Sequence, residues 1–199
     1  NAGRTGQKQR TYDALTNAAR ELVAAGQTPT VDEAAALAGV ARSTAYRYFP
    51  GQRDLLAAAH PETIRRSMLP PDAPADPALR LRAVVEEFTR LIAETEAQQR
   101  TMLRLSLEPD SESGPLPLRQ GRAIGWIEEA LEPLRGEISE AGIHSLALAI
   151  RSAIGIEALV WLTDIGHLTR EQAAASMRWS AQALLDQARG SGPPPAALD

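Results

Sequence analysis

Apolar positions along the chain recur at intervals of three and four residues, and no segment alternates apolar and polar residues in the manner of a strand. This spacing is typical of amphipathic helices. Clusters of glycine, proline and serine divide the pattern into nine segments. The predicted helices cover about residues 8–25, 30–39, 42–48, 52–68, 77–96, 98–107, 118–134, 139–165 and 169–189. The predicted fold class is therefore all-α, with about nine helices.

Several of these helices carry start and stop signals. Thr30 and Glu33 form a capping-box pattern, as do Thr169 and Gln172. Asp76 is placed to cap a helix whose first residue is Pro77. Gly26 and Gly39 stand where a helix would end. These signals predict helix boundaries independently of the hydrophobic pattern.

The most informative stretch is 30–56, in which two short helices meet at a tight turn. Small side chains at Ala34, Ala35 and Ala38 allow two helices to pack closely, and Val40 is placed to fill the turn. Gly39 provides the positive φ that such a turn requires. The pattern therefore predicts a helix-turn-helix.

The second of these short helices divides into two faces. Ala45, Tyr48 and Phe49 are expected to face the protein. The opposite face carries no acidic residue at all and consists of Arg42, Ser43, Tyr46 and Arg47. A short helix with such a face suits the major groove of DNA.

Composition limits the alternatives. The absence of cysteine excludes disulfides, thiolate metal sites and a cysteine nucleophile. No uninterrupted apolar run reaches the roughly 18 residues of a membrane span, so we expect a cytoplasmic protein without membrane contact. The net charge of −4 gives no global sign of nucleic-acid binding, but residues 1–56 hold seven basic and five acidic groups, and the remainder carries −6. The local field at a binding face matters more than the total charge.

Residues 8–60 resemble the DNA-binding domain of TetR-family transcriptional regulators. The resemblance rests on the capped second helix, on Gly39-Val40, on the run Ser43-Thr44-Ala45-Tyr46-Arg47-Tyr48-Phe49-Pro50, and on Asp54-Leu55-Leu56. The rest of the chain is similar to the family in length and helical character only.

The resemblance implies how DNA is contacted. Arg42, Ser43, Thr44, Tyr46 and Arg47 would meet base edges or nearby backbone, and Tyr48 and Thr30 would meet phosphates. Gln52 stands where a phosphate-binding lysine is common in the family, so Arg53 is a candidate substitute. The basic residues Arg4, Lys8 and Arg10 form either a minor-groove arm or a solvated tail.

The resemblance also implies a homodimer through the last two long helices and a pocket for a small, largely apolar effector. The alternative for the two helices is the core of a monomer. We expect Arg151 to pair with an acid such as Glu157 or one across the dimer. The candidate pocket residues are Phe88, Met102, Leu103, Trp126, His144, Arg151 and Trp161.

The implied domains are a DNA-binding domain at 1–52, an effector-binding and dimerisation domain at 53–189, and a disordered tail at 190–199. No catalytic motif, cofactor loop or metal-ligand spacing is present, so we expect neither an enzyme nor a cofactor. The function predicted is a ligand-responsive repressor of a pseudo-palindromic operator. The alternative is a helical protein–protein interaction or carrier module whose helix-turn-helix is vestigial.

Overall fold

A computed structural model describes residues 2–60, 65–107 and 121–195. Every regular element within these ranges is helical, so the all-α prediction is confirmed. The helices are α1 (Ala2–Ala24), α2 (Val31–Ala38), α3 (Arg42–Tyr48), α4 (Gln52–Ala59), α5 (Pro77–Glu94), α6 (Glu96–Leu107), α7 (Arg122–Leu131), α8 (Glu140–Ile154), α9 (Ile156–Val160) and α10 (Arg170–Ser191). A 3₁₀ turn follows α7 at Glu132–Leu134, and a π-helical turn follows α9 at Trp161–Ile165.

The predicted helix starts are confirmed. The side chains of Thr30 and Thr169 accept hydrogen bonds from the backbone N–H of Glu33 and Gln172, and both capping boxes are complete. Asp76 accepts from the N–H groups of Ala78 and Leu79, at 2.7 and 3.1 Å, and Pro77 is the first residue of α5.

Other predicted boundaries are wrong. The helix predicted over 52–68 ends at Ala59, because the residue before a proline avoids the helical region and His60, which precedes Pro61, is extended with ψ 134°. The helix predicted over 139–165 is interrupted at Gly155, whose ψ is −179°.

The two ends of the chain also differ from expectation. Helix α1 begins at Ala2, so Lys8 and Arg10 lie exposed on a helix and form neither an extended arm nor a tail. Helix α10 runs to Ser191, two residues into the predicted tail. The predicted loop at 108–117, the start of the seventh predicted helix at 118 and the last four residues of the tail lie outside the described residues.

The chain packs as two compact units. Within the described residues, the first comprises 2–60, 65 and 94–107, and the second comprises 66–93 and 121–195. The units do not coincide with the domains that the sequence predicts, whose boundary lies at residue 52. Helix α6 belongs to the first unit because it packs on α4, where the buried Gln98 donates through Nε2 to the carbonyl of Leu56 at 3.0 Å.

The core of the first unit is formed by all four helices α1, α2, α3 and α4. One buried cluster consists of Leu15, Ala19, Val31, Ala34, Ala35, Ala45, Phe49, Leu55 and Ala59. The partly buried Ala38 and Val40 pack against it, as predicted for the turn. A smaller cluster of Val23, Leu56, Ala57 and Met102 adds α6. The helix-turn-helix therefore rests on a continuous apolar base.

The second unit is built around α8, which packs against α7 and α10. Its largest fully buried side chains are Leu81, Ile92, Ile127, Leu131, Leu134, Leu146, Ile150, Ile154 and Met177. Glu140–Ile165 is long and apolar enough to cross a membrane by length and composition, although charged residues interrupt its apolar run. Within it, α8 packs against α7 and α10, and 39% of its most apolar 18-residue stretch is buried.

Candidate nucleic-acid interface

The turn between α2 and α3 is fixed by backbone geometry. Gly39 has φ 64°, in the left-handed region that residues with a Cβ rarely adopt. The N–H of Val40 then donates to the carbonyl of Ala35 at 2.9 Å. These two features end α2 and direct the chain into α3.

Burial separates the two faces of α3 as the sequence predicts. Ala45 and Phe49 are buried, and the Phe49 ring lies 5.1 Å from the Tyr12 ring, between centroids. Tyr48 is half-buried against the same core. The exposed residues of α3 are Arg42, Ser43, Tyr46 and Arg47, and Thr44 is half-exposed at their edge.

Two of the exposed side chains are in contact. The Arg42 guanidinium carbon lies 5.7 Å from the centre of the Tyr46 ring, within the range of a cation–π interaction. The contact follows from their spacing of four residues, which places both side chains on one face of the helix.

An acidic residue from α2 joins this face. Asp32 Oδ1 lies 2.9 Å from Arg42 Nε, and both side chains are exposed to solvent. The prediction of no acid holds for α3 itself, but the crossing of α2 over α3 brings a carboxylate to its first residue. The spacing of Asp32 and Arg42 along the chain gives no sign of this contact.

Thr30 uses its hydroxyl within the protein. Its Oγ1 donates to Glu33 Oε2 at 2.9 Å and accepts from the Glu33 N–H at 3.3 Å, while the Thr30 N–H donates to the same carboxylate at 2.7 Å. These hydrogen bonds from the Thr30 backbone and side chain lower the pKa of Glu33. The hydroxyl proton expected to meet a phosphate is therefore already donated to Glu33.

The side chain of Gln52 also forms its hydrogen bonds within the protein. Its Nε2 donates to the carbonyls of Thr28 and Pro29, at 3.1 and 3.2 Å. An amide nitrogen has two protons, so neither is left for a phosphate. Gln52 ties the start of α4 to the segment before α2, and the neighbouring Arg53 is half-exposed.

Residues 15–59 match the family model of bacterial regulatory proteins of the tetR family. The match spans the whole helix-turn-helix, from the first buried leucine of α1 to the end of α4. Residues 15–59 are therefore a DNA-binding domain of the TetR-family type.

In its fold, the rest of the chain is also similar to solved structures. Six solved chains match it, and one is the crystal structure of a TetR transcriptional regulator from Rhodococcus sp. RHA1. That structure has a TM-score of 0.61 and 22% sequence identity over 90% of this chain and 98% of the other. No curated protein sequence matches the chain.

The residues predicted for an effector site are distributed over both units. Met102 is buried in the first unit, in its smaller cluster, and Leu103 lies half-buried on the same helix. In the second unit, Phe88 and Trp126 are buried with ring centroids 6.2 Å apart, edge to face. The Arg151 guanidinium carbon lies 5.6 Å from the centre of the Phe88 ring.

Arg151 forms the predicted ion pair with Glu157, with 3.2 Å between Nη1 and Oε2. The pair crosses the break between α8 and α9 directly over Gly155. A Cβ at Gly155 would lie 1.8 Å from Arg151 Nη1 and 2.4 Å from Glu157 Oε2. Glycine at the break therefore leaves the space that the ion pair occupies.

The remaining two candidates lie towards solvent. His144 Nδ1 lies 2.6 Å from Glu128 Oε1, in a contact between α8 and α7. Trp161 is 63% exposed, which does not fit a residue that lines an enclosed cavity of a single chain. A cleft of about 370 Å³ between α5 and α10 is lined in part by Leu81, Val85 and Trp179, and contains none of the predicted effector residues.

Proposed function

We propose that this chain is a homodimeric TetR-family repressor that binds a pseudo-palindromic operator in the cytoplasm and is released by a small, largely apolar effector. The observation that carries the DNA-binding part is the exposed face of α3 on its buried base. Repression, dimerisation and effector binding are typical of the family, and we extend them to this chain.

In the proposed complex, α3 lies in the major groove. Arg42 and Arg47 are the candidates for guanine, since an arginine fork matches its O6 and N7 acceptors. Ser43, Thr44 and Tyr46 contact bases or adjacent backbone, and Tyr48 and Arg53 contact phosphates. Thr30 and Gln52 support the interface by fixing α2 and α4.

The dimer is proposed to form through α8–α9 and α10. Together with the π-helical turn that follows α9, these elements hold four large apolar side chains that are exposed in the single chain: Leu148, Trp161, Ile165 and Trp179. Exposed apolar groups of this size favour a protein interface. Two-fold symmetry of the protein would match two half-sites in the operator.

The effector is proposed to bind in the body of the chain, near Phe88 and Trp126, with Arg151 as the polar anchor. An effector changes DNA affinity only if it binds one conformation of the dimer better than the other. The Arg151–Glu157 pair, which spans the break between α8 and α9, is one contact that such a ligand would alter.

The test is the loss of binding in the variant Arg47→Ala. Arg47 is exposed on α3, and losing a guanine contact weakens binding at least about tenfold. Fluorescence anisotropy with the upstream DNA of the protein's own gene measures the affinity, and analytical ultracentrifugation checks that the oligomeric state is unchanged. Arg189→Ala, an exposed arginine near the end of α10, is the matched control. Unchanged affinity in Arg47→Ala contradicts the assignment and favours the interaction-module alternative.

A further inference from the structure

We infer that Asp32 sets the DNA sequence preference of this regulator by positioning Arg42. The inference rests on the proposed role of α3 in reading DNA and goes beyond it, because Asp32 lies on α2 and is not itself among the residues expected to touch a base.

The geometry restrains Arg42 on two sides. Its side chain is 74% exposed, and a solvated arginine at the start of a helix otherwise samples many rotamers. Asp32 Oδ1 forms an ion pair with Nε at 2.9 Å, and the Tyr46 ring lies beneath the guanidinium. An arginine whose orientation is fixed before binding loses less conformational entropy when it meets its base.

The atom that Asp32 engages matters. The recorded contact uses Nε, which lies at the inner side of the planar guanidinium. The two terminal Nη groups form the end of the fork and are not part of this contact. A guanine presents two acceptors, O6 and N7, at the spacing that such a fork bridges.

Asp32 also places a negative charge on the face that approaches DNA. Its side chain is 42% exposed, so its field reaches solvent. This charge repels phosphates in every DNA sequence alike, whereas the positioning of Arg42 favours only sequences with guanine at the right place. Asp32 therefore lowers non-specific affinity and raises the ratio of specific to non-specific binding, the quantity that matters among many competing sites.

The experiment compares the wild-type chain with Asp32→Asn, which removes the charge and keeps the size of the side chain. Each protein selects sites from a library of random duplexes, and anisotropy then gives affinities for the wild-type site and for a scrambled duplex at one salt concentration. We expect Asp32→Asn to bind the scrambled duplex a few-fold more tightly. We expect its ratio of specific to non-specific affinity to fall about tenfold. The base preference should be lost at the same base pairs of the site as in Arg42→Ala.

Three further variants separate positioning from charge. Asp13→Asn removes an equal charge from exposed α1, where the carboxylate accepts from Gln9, and should leave base preferences unchanged. Asp32→Glu should restore most of the discrimination. Asp32→Asn added to Arg42→Ala should cause no further loss of preference, because Asp32 acts through Arg42.

Two results distinguish the failure of this inference from that of the proposed function. If both affinities of Asp32→Asn rise by the same factor with the same selected motif, Asp32 acts only as a charge and the inference is overturned. If the wild-type chain selects no motif, the proposed function is wrong and this inference falls with it. Circular dichroism melting of each variant confirms that the compared proteins are folded.

Discussion

At the scale of single residues, the helix-turn-helix is stabilised by side chains for which the family resemblance implies contacts with DNA. Thr30 and Gln52 use their hydrogen-bond donors on Glu33 and on two backbone carbonyls. Arg42 is engaged by Asp32. Of the charged or amide side chains at the interface, Arg47 is the one without a recorded ion pair or hydrogen bond among the described residues, which makes it the clearest probe of binding.

The capping box predicts a pH-dependent stability at Glu33. Its pKa in the folded protein lies below the ordinary value of about 4.5, because the Thr30 N–H and hydroxyl donate to its charged form. The carboxylate therefore stabilises the fold above that ordinary pKa, and the contribution is lost as the pH falls through the lower pKa of the folded state. Denaturant unfolding should show wild type more stable than Glu33→Gln at pH 7, with the difference closing as the pH falls below the ordinary pKa of 4.5.

The control for this prediction is Thr30→Ala, which removes the hydroxyl that donates to Glu33. In that background the effect of Glu33→Gln should be smaller at pH 7. A stability gap between wild type and Glu33→Gln that does not change with pH would contradict the proposed cause.

Gln52 gives a second prediction at this scale. Gln52→Ala leaves two partly buried carbonyls without their donor, and we expect a loss of about 1–2 kcal/mol in the free energy of unfolding. Gln52→Lys keeps a donor and should recover part of the loss. Urea unfolding followed by circular dichroism measures both, and an unchanged midpoint in Gln52→Ala would show that these hydrogen bonds add nothing to stability.

At the scale of elements, two helical glycines differ in the space around them. A Cβ at Gly125, exposed within α7, would meet nothing within 4 Å. A Cβ at the buried Gly142 in α8 would lie 2.7 Å from Ile138 Cγ2 and 2.9 Å from Pro193 Cγ. The space beside Gly142 is therefore filled by its neighbours, whereas the space beside Gly125 is open.

We expect opposite effects of alanine at these positions. Gly125→Ala should stabilise the fold by about 0.5–1 kcal/mol, because alanine favours the helix and loses less backbone entropy. Gly142→Ala should destabilise it by about 1–3 kcal/mol through overpacking. Thermal melting of the two variants side by side checks the sign. A Gly142→Ala variant as stable as wild type would mean that Ile138 and Pro193 move aside at no cost.

The elements also show what the sequence could predict. Local signals sufficed for the capping boxes and for the turn at Gly39, since each depends on residues within one turn of a helix. His60-Pro61 and Gly155 are sequence signals for the breaks after α4 and α8. The apolar spacing continues across both positions, however, and therefore predicts uninterrupted helices. The contacts of Asp32 with Arg42 and of Gln52 with Thr28 depend on how helices cross, which no spacing encodes.

At the scale of the whole molecule, charge is divided between the two ends of the chain. Residues 1–56 carry +2 and the remainder −6, while α3 presents two arginines to solvent. Binding to DNA releases counterions in proportion to the phosphates contacted, so affinity for the operator should fall steeply as salt rises. The divided charge explains how a chain of net charge −4 binds a polyanion.

The proposed dimer is tested at the same scale. Trp161→Asp places a charge among the exposed apolar groups of α8–α9 and α10, where a partner would have to bury it. We expect sedimentation velocity to show a dimer for wild type and a monomer for the variant, with operator affinity reduced accordingly. Ala93→Asp, which places the same charge at an exposed position of α5, is the control. A wild-type monomer would refute the dimer directly.

The three tryptophans occupy unlike surroundings, and this gives the protein an intrinsic optical signal. Trp126 is 4% exposed beside Phe88, while Trp161 and Trp179 are 63% and 72% exposed. In the separate chain, a soluble quencher such as iodide would reach the fluorescence of two indoles and spare the third. Burial of the outer pair on association would shift their emission to shorter wavelength, while Trp126 would respond to loosening of the interior or to an effector bound beside it. One emission spectrum would thus follow assembly and unfolding without an added label.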